Sequence, residues 1–451
     1  MSTFQSLPTD ILLLILHFVP HTALPRLALI SKNLNCPITP HIYRYIHYHD
    51  PWNAPRYLSW QSKYPQVCGH HRDQHRSDTR IYSLSRLLRT LSESENLRKL
   101  VRGASFYCNT NEGDEFATKT VELLRSSGTL SNVHFAPFGM LGSSSVMPVL
   151  SAVTSLEIRF DHLDAIPDSA AVPMERLYQI FSLPDLRSLS IILVRSWMPE
   201  VSSGTTGNSQ ISKRRSKSSN ITCLSLFATV PPGPDLEEVL SWPIALHSLH
   251  YELCTDEYNS FGLGLPTLSP LDFSPALESQ MTSLEELIIH GDCQGENTGY
   301  MANELIDLRS FSALRIVGLD LAWLMVSKLD AECFDADVRD LPTMCEFLPP
   351  VLETLQVQMD DYAFEQWFAD VPPREVGVEG GEVSDALVEL VLCGSGSCRA
   401  LKRILLWRPS HGATTEFNLV EIEGCAQLLA VAESIGVGIA GWVGLELPLL
   451  K

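Results

Sequence analysis

The chain has 451 residues, 45% of them hydrophobic, which is enough to bury a large core in several domains or in one long repeat domain beside a small module. Its formal net charge of −20 is uneven, with +7 on residues 1–102, −4 on residues 103–249 and −23 on residues 250–451. Because acidic surfaces repel phosphate backbones, this balance argues against nucleic-acid binding. A basic protein partner for the C-terminal half is expected instead.

Compartment is indicated by cysteine usage and by the first apolar segment. The 11 cysteines are scattered without paired spacing, which favours reduced thiols. The N-terminal apolar run carries Asp10 at its head and has no basic segment before it, which argues against a secretion signal. No uninterrupted apolar run reaches the roughly 18 residues expected of a membrane span. We therefore expect a cytoplasmic and/or nuclear protein that does not bind membranes.

The first predicted element is a helix from about Thr9 to Val19 that is apolar on every side. Pro8 stands at a permitted first-turn position and Pro20 ends the helix. A helix that is apolar all round must be buried all round, and two small neighbouring helices cannot provide enough surface. The pattern therefore predicts a segment that docks on another protein.

Two further short helices are expected, from Ala23 to about Leu34 and after Pro40. Order and spacing over about 40 residues resemble the F-box family, in which such a module binds the Skp-type adaptor of a cullin-based ubiquitin ligase. The matching residues are Leu7, Pro8, Asp10, Ile11, Leu12, Ile15, Leu16, Leu27, Leu29, Ile30, Ser31, Lys32, Ile42, Tyr43 and Arg44. The resemblance implies adaptor contacts by Leu7, Pro8, Ile11, Leu12, Ile15, Leu24, Leu27 and Ile30.

After a connecting segment and helix (residues 50–95), a short pattern of apolar residues at positions one, four and six recurs ten times, 23 to 49 residues apart. The copies begin at Val101, Leu130, Val153, Leu186, Ile221, Leu246, Leu284, Ile316, Leu352 and Leu401. Each copy is typical of one strand in a parallel solenoid. We therefore predict an α/β fold, with an F-box at residues 1–49 and an irregular leucine-rich-repeat-like solenoid with a mainly parallel sheet at residues 96–451. Such domains resemble those that follow the F-box in proteins of filamentous fungi; a generic α/β domain is the alternative.

Side chains alternate between the two faces of a strand, so the residues between the apolar positions lie on the face of the sheet opposite the core. We expect that face to be exposed and concave. Aromatic and polar residues alternate there, as in protein-binding surfaces. The candidate target-binding residues are His250, Glu252, His290 and Trp407. The alternative is that loops cover part of this face.

Other motifs carry weaker signals. Gly436–Gly441 has the glycine spacing of a dinucleotide fingerprint, but only 10 residues follow, so we interpret it as a last strand or cap. Cys68, His70, His71 and His75 have the spacing of metal ligands but more often form a polar loop. Residues 202–220 are rich in Ser and Gly, which predicts a disordered insertion.

The sequence thus predicts a non-enzymatic protein without cofactor or metal: a substrate-recruiting subunit of a Skp/cullin/F-box ubiquitin ligase. The F-box would bind the Skp-type adaptor, and through it a cullin, while the solenoid would bind an unknown and possibly basic protein target. One alternative is an interaction scaffold that binds the adaptor without promoting ubiquitylation. Another is an enzyme built on the α/β domain.

Overall fold

The structure is a computed structural model that describes residues 8–19, 23–49, 84–107, 111–136, 150–159, 171–192, 196–198, 216–229, 234–253, 270–291, 306–320, 347–358, 388, 391–392, 398–409, 415–417 and 425–444. The α-helices in these ranges are α1 (Thr9–Phe18), α2 (Leu24–Ile30), α3 (Lys32–Tyr43), α4 (Leu84–Glu93), α5 (Glu95–Arg98), α6 (Asn111–Arg125), α7 (Met174–Phe181), α8 (Pro234–Ser241), α9 (Pro270–Glu278) and α10 (Cys425–Ile435). None of the helices within the described ranges is long and apolar enough to cross a membrane.

The strands in the same ranges are β1 (Tyr45–His49), β2 (Gly103–Tyr107), β3 (Asn132–Ala136), β4 (Ser155–Arg159), β5 (Ala171–Pro173), β6 (Ser188–Ile192), β7 (Ser196–Met198), β8 (Cys223–Thr229), β9 (Ser248–Leu253), β10 (Glu286–Gly291), β11 (Ile316–Asp320), β12 (Thr354–Gln358), β13 (Arg403–Pro409), β14 (Thr415–Phe417) and β15 (Gly438–Gly444). The chain divides into two compact units. Unit 1 comprises Met1–Ala170 with Gln179–Leu193, and unit 2 comprises Ala171–Tyr178 with Val194–Lys451.

In unit 1, the strands β1, β2, β3, β4 and β6 pair in that order, and every pair is parallel. The sheet begins at Tyr45, immediately after α3, and β1 pairs along its whole length with β2. This strand lies inside the range predicted for the F-box, whereas the solenoid was expected to begin at about residue 96. A short stretch of apolar and aromatic residues, from Tyr45 to Tyr48, is long enough for a strand although it lacks the repeated apolar pattern.

In unit 2, β8 to β13 pair successively and in parallel, and β15 follows β13 in the same orientation. The short strand β14 pairs antiparallel with β15. A separate two-stranded parallel ladder joins β5 to β7. The interpretation of Gly436–Gly441 as part of a last strand is therefore confirmed, because β15 contains most of it.

Each of the ten predicted copies corresponds to an observed strand. Most strands begin two residues after the first apolar residue of the copy, as Leu246 precedes β9 and Leu352 precedes β12. That residue is buried in both examples. At the strand starts, backbone bonds join neighbouring copies; the amide of Glu285, for instance, donates to the carbonyl of His247 at 2.8 Å. These observations confirm an α/β fold with a mainly parallel sheet, and the strand repeats are compatible with a solenoid.

A buried glutamine links successive copies in unit 2. Gln280 is fully buried; its Nε2 donates to the carbonyls of Leu240 (2.7 Å) and Pro243 (3.1 Å), and its Oε1 accepts from the amide of Leu246 at 3.0 Å. The side chain thus bonds one backbone group at the end of α8 and two in the segment between α8 and β9. Gln280 therefore stabilises the stacking of neighbouring repeats through hydrogen bonds of its buried side-chain amide. A repeated asparagine that could do the same in every copy is not evident in the sequence.

Candidate protein-binding sites

The three N-terminal helices enclose a small core of their own. Leu12 and Leu16 on α1 are one helical turn apart and pack against the other two helices. The buried members of this cluster are Leu12, Leu16, Leu24, Leu34 and Ile38. Val19, Leu27, Ala28 and Ile42 are partly buried against it. One face of α1 is therefore already used inside the module, and Ile11 and Leu14 are exposed outside this core.

The boundary between α2 and α3 differs from the sequence-based expectation. Ser31 has an extended backbone (φ −156°, ψ 143°), which ends α2 at Ile30. Its Oγ accepts a hydrogen bond from the amide of Asn33 at 3.1 Å and so caps α3. The second helix was expected to continue to about Leu34 and the third to begin after Pro40. Instead α3 starts at Lys32 and runs through Pro37 and Pro40, because the serine cap offers the chain a better starting point.

Four large apolar side chains of α1 and α2 remain exposed. Leu29 is 86% exposed and Ile30 is 66% exposed at the end of α2. Ile11 and Leu14 are exposed on α1, one helical turn apart. We call Ile11, Leu14, Leu29 and Ile30 the apolar docking set. Exposed apolar residues at this density in a small module are characteristic of a protein-binding surface.

The predicted adaptor contacts fall into three groups. Pro8, Ile11 and Ile30 are exposed, and Ile15 is half-buried. Leu12 and Leu24 are buried in the internal core, and Leu27 packs against that core, so in this arrangement these three stabilise the module. Leu7 lies outside the described residues. Leu14 and Leu29 were not among the predicted contacts, although the all-round apolar pattern of α1 and the place of Leu29 in the F-box motif were signals for them.

The second candidate site is one face of the unit 2 sheet, where strand register arranges side chains in two rows. The first row contains Ser225, His250, Ile288, Gly318, Gln356 and Leu405, which are successive register partners on β8 to β13. In the second row, Phe227 is opposite Glu252, and Glu252 is opposite His290. Farther along the same row, Gln358 is opposite Trp407. The parallel sheet thus brings together all four predicted target-binding residues.

Aromatic rings contact one another along this face. The ring centroids of Phe227 and His250 are 4.7 Å apart, and those of His250 and His290 are 5.8 Å apart. The rings of His290 and Trp407 are 5.1 Å apart although three strand spacings separate β10 from β13. At about 4.8 Å per spacing, their backbones are roughly 14 Å apart, so both side chains lean towards each other over β11 and β12.

Much of this face is buried, which corrects the expectation that it is exposed. His290, Gln356, Leu405 and Trp407 are all buried, as is Phe227. His250, Glu252 and Ile288 are half-buried. The alternation of residues along each strand does not indicate this burial. The role of His250, Glu252, His290 and Trp407 in target binding stays a prediction.

Burial also fixes the charge state of the two histidines. Loss of hydration lowers the pKa of His250 to about 4. Burial, and then the neighbouring His250, lower the pKa of His290 well below its ordinary value. Both rings are therefore neutral at physiological pH, and each offers one N–H donor and one nitrogen acceptor. Local recognition at this face consequently depends on uncharged hydrogen-bonding groups, whatever the net charge of the surrounding chain.

Two weaker candidates lie wholly or largely outside the described residues. These are the Cys68–His75 cluster and the insertion at 202–220 apart from residues 216–220. Among the described cysteines, Cys398 is buried, and burial raises the pKa of its thiol to about 11, so it stays protonated. Among the described residues, no group of three or more His, Cys, Asp or Glu could hold a metal ion.

Comparison with known proteins identifies one part of the chain. Residues 4–36 match the F-box domain family. No curated protein matches the chain. The chain therefore carries an F-box domain in its N-terminal region, as its leucine, proline and serine spacing predicted. F-box domains typically bind Skp-type adaptors. The match covers the start of α3 and all of α1 and α2, the two helices that carry the apolar docking set.

Proposed function

We propose that this protein is a substrate-recruiting subunit of a Skp/cullin/F-box ubiquitin ligase and performs no chemistry itself. The observation that carries the proposal is the coincidence of the F-box match at residues 4–36 with the exposed apolar docking set. Exposed Leu and Ile side chains gain free energy when a partner buries them, at roughly 1.5–3 kcal/mol each for full burial. Four such residues provide enough apolar surface to anchor an adaptor.

The remaining strand repeats would form an irregular leucine-rich-repeat-like solenoid that selects the target. Residues 250–451 carry a net charge of −23, and such a field speeds the approach of a basic protein. Recruitment would act by proximity, because a target tethered beside the charged conjugating enzyme reacts at a high effective concentration. The protein would act in the cytoplasm, the nucleus or both, where cullin ligases and reduced thiols are found together.

Adaptor capture tests the proposal most directly. Changing Leu29 and Ile30 together to Asp places two charges on side chains that are exposed in the free protein, so the fold of the module is expected to survive. The same charges would be buried in an adaptor interface at a cost of several kcal/mol. We expect capture of a Skp-type adaptor to be lost.

A matched control uses Asn33→Asp, which adds a negative charge at an exposed position of α3 near the docking set. Only the backbone amide of Asn33 bonds Ser31, so the cap is retained. This variant should capture the adaptor at the wild-type level. Undiminished capture by the Leu29→Asp/Ile30→Asp variant would contradict the proposal. Co-purification of a cullin with the wild-type chain separates a ligase subunit from a scaffold that binds the adaptor alone.

A further inference from the structure

The residues that immediately precede the strands form a row along one edge of the unit 1 sheet. Backbone hydrogen bonds join them, and the amide of Arg102 donates to the carbonyl of Arg44 at 2.8 Å. The row continues through Ser131, Thr154 and Arg187. Arg44 and Arg102 are neighbours in this row, and both side chains are exposed. At a strand spacing of about 4.8 Å, two positively charged residues therefore stand side by side. We call Arg44 and Arg102 the arginine pair.

Packing of Tyr45 against Gly103 restrains one member of the arginine pair. The Tyr45 ring lies so close to the backbone of Gly103 that an added Cβ would stand only 2.5 Å from Tyr45 Cε1. Glycine is therefore the residue that leaves space for the ring. The Arg44 guanidinium lies over the same ring, with its Cζ 5.8 Å from the ring centroid, which is within the range of a cation–π contact. A restrained side chain loses less entropy when it binds a partner.

The charge of the arginine pair is not neutralised within the described part of the chain. Neither side chain forms an ion pair among the described residues, and Arg102 Nη1 bonds only the carbonyl of Thr129, at 3.4 Å. The equivalent row of unit 2 alternates in sign, and Glu353 lies 2.6 Å from Lys402 Nζ. Like charges on adjacent strands repel each other unless a partner supplies the opposite charge. The arginine pair therefore indicates an acidic group from outside the chain.

We propose that the arginine pair binds acidic side chains of the Skp-type adaptor, as a second contact beside the apolar docking set. This inference rests on the proposed function, in which the F-box captures that adaptor. A guanidinium group binds a carboxylate through two parallel N–H···O bonds, and two adjacent guanidinium groups attract it more strongly than one. Exposed charges of this kind speed association and fix orientation, whereas buried apolar side chains provide most of the affinity.

The position of Arg44 favours the adaptor over the target as the source of the acidic group. Arg44 is the C-cap of α3, and α3 begins two residues after Ile30 of the docking set. At 1.5 Å per residue, the 12 residues of α3 separate the two sites by roughly 18 Å. A standard interface covers about 800 Å² on each partner, a patch roughly 28 Å across, so one adaptor can reach both sites. The chain has no acidic residue between Asp10 and Asp50 that would repel an acidic adaptor.

Association kinetics of the full chain with a purified Skp-type adaptor test the inference. The test variant is Arg44→Glu/Arg102→Glu. Its matched control is Arg89→Glu/Arg125→Glu, which makes the same change of charge at exposed positions of α4 and α6 in the same unit. At about 0.05 M salt we expect the test variant to associate roughly 10-fold more slowly than wild type, and the control to stay within about 2-fold. The difference should vanish at about 1 M salt, where screening acts over roughly 3 Å. Thermal unfolding checks that each variant is folded.

Two further measurements test the chemistry of the arginine pair. Arg44→Lys/Arg102→Lys keeps both charges and loses the planar guanidinium groups, so association should stay near the wild-type rate while dissociation becomes roughly 3-fold faster. A blocked hexaglutamate peptide probes the pair without the adaptor, on protein with isotope-labelled arginine side chains. It should shift the guanidinium signals of Arg44 and Arg102, which single lysine variants assign, and blocked hexaglutamine should not shift them.

The possible failures of this inference and of the proposed function are distinguishable. Association of Arg44→Glu/Arg102→Glu at the wild-type rate, with adaptor capture intact, would overturn the inference alone. Equal slowing in the control variant would also overturn it, because net charge would then explain the effect. Wild-type dissociation kinetics in the lysine variant, or no response to hexaglutamate, would overturn the guanidinium–carboxylate contact. A response to hexaglutamate in a chain that captures no adaptor would overturn the proposed function and the adaptor as the source of the acidic group.

Discussion

The two units contain the same strand repeat, but the corresponding side chains of their sheets differ in burial and in their charged partners. In unit 1 the corresponding positions are Ser105, His134, Glu157 and Ser190, which are register partners and half-buried. His134 Nδ1 lies 3.2 Å from Glu157 Oε2, so the histidine has a charged partner. In unit 2, His290, Gln356 and Trp407 are buried, and His250 and His290 have no such partner among the described residues. One repeat pattern therefore supports both a half-buried face with a paired histidine and glutamate and a more deeply buried face with unpaired histidines.

This difference sets opposite pKa shifts in the two units. Burial lowers the pKa of His134, but the charge of Glu157 and the hydrogen bond to it outweigh burial and raise the pKa above its ordinary value. In unit 2, burial dominates and the pKa of both histidines falls. A paired histidine stabilises a fold when it is charged, and an unpaired buried histidine stabilises it only when it is neutral. The sheet face of unit 2 is thus the one whose polar groups lack a structural explanation.

The largest expected effect comes from replacing Gln280, whose side-chain amide is buried in unit 2. Gln280→Leu leaves the carbonyl of Pro243 and the amide of Leu246 without this partner and removes one of the two donors to the carbonyl of Leu240, which Ser279 Oγ also contacts. We expect a loss of about 3–5 kcal/mol in the free energy of unfolding. Thr129 in unit 1 is the matched test, since its Oγ1 donates to the carbonyl of Val101 at 2.9 Å. Thr129→Val should cost only about 1 kcal/mol. Denaturant unfolding measures both, and equal losses would contradict this comparison.

The second-largest expected effect is a loss of stability of unit 2 at low pH. His250 has a folded pKa of about 4 against 6.5 for an ordinary ring, so the unfolded chain binds a proton that the folded chain does not. Stability is full above pH 6.5 and is lost as pH falls, by about 3 kcal/mol for this group by pH 4. His250→Gln should remove that part of the pH dependence. Hydrogen exchange of the β9 and β10 amides between pH 7 and pH 4.5 measures it, and an unchanged slope in the variant would refute the assignment.

In unit 1 the pH dependence of the histidine should have the opposite sign. Because the pKa of His134 is raised, its contribution is fully present below pH 6.5 and is lost as pH rises through the folded pKa. Glu157→Gln should therefore destabilise unit 1 by on the order of 1 kcal/mol near pH 6, the scale of a partly exposed charged hydrogen bond, and by less at pH 8.5. Exchange rates of the β3 and β4 amides provide the measurement. A difference that grows with pH would be inconsistent with a charged His134.

The sequence predicted elements that depend on local patterns better than features that depend on contacts between residues far apart in the chain. The strands and α1 follow from local apolar periodicity, so their positions could be predicted closely. The α2–α3 boundary depends on the extended backbone of Ser31, and competing proline signals misplaced it. Strand β1 was missed because Tyr45–His49 lacks the apolar pattern of the ten predicted copies.

The candidate site on the unit 2 sheet was predicted only in part, because only some of its features follow from local sequence patterns. Period two placed His250, Glu252, His290 and Trp407 on one face, and parallel register brought them together. The contact between the His290 and Trp407 rings joins residues that are far apart in the sequence. Local patterns contain no information about that contact or about the burial of the two side chains. The exposure of Leu14 and Leu29 likewise follows from which residues fill the core of α1 to α3, and that core is known only from the structure.

The smallest expected effect lies at the start of the strands, where unit 2 has alternating charges. Glu353 lies 2.6 Å from Lys402 Nζ and 3.6 Å from Arg315 Nη1, and His247 faces Glu285. At equivalent places unit 1 has the arginines Arg44 and Arg102. Exposed ion pairs contribute little and are screened by salt. We expect Glu353→Gln to lower the unfolding midpoint only slightly at low ionic strength.

At about 1 M salt, where screening acts over roughly 3 Å, the difference between Glu353→Gln and wild type should vanish. Arg102→Gln is the counterpart in unit 1. Because Arg102 forms no ion pair among the described residues, this variant should not lower the midpoint through lost charge pairing at either salt concentration. A large, salt-independent loss in Glu353→Gln would mean that the alternating charges fix the register of β12 and β13. The sheet of unit 2 would then depend on its charged edge as well as on its apolar interior, and the contrast between the units would extend beyond the buried face.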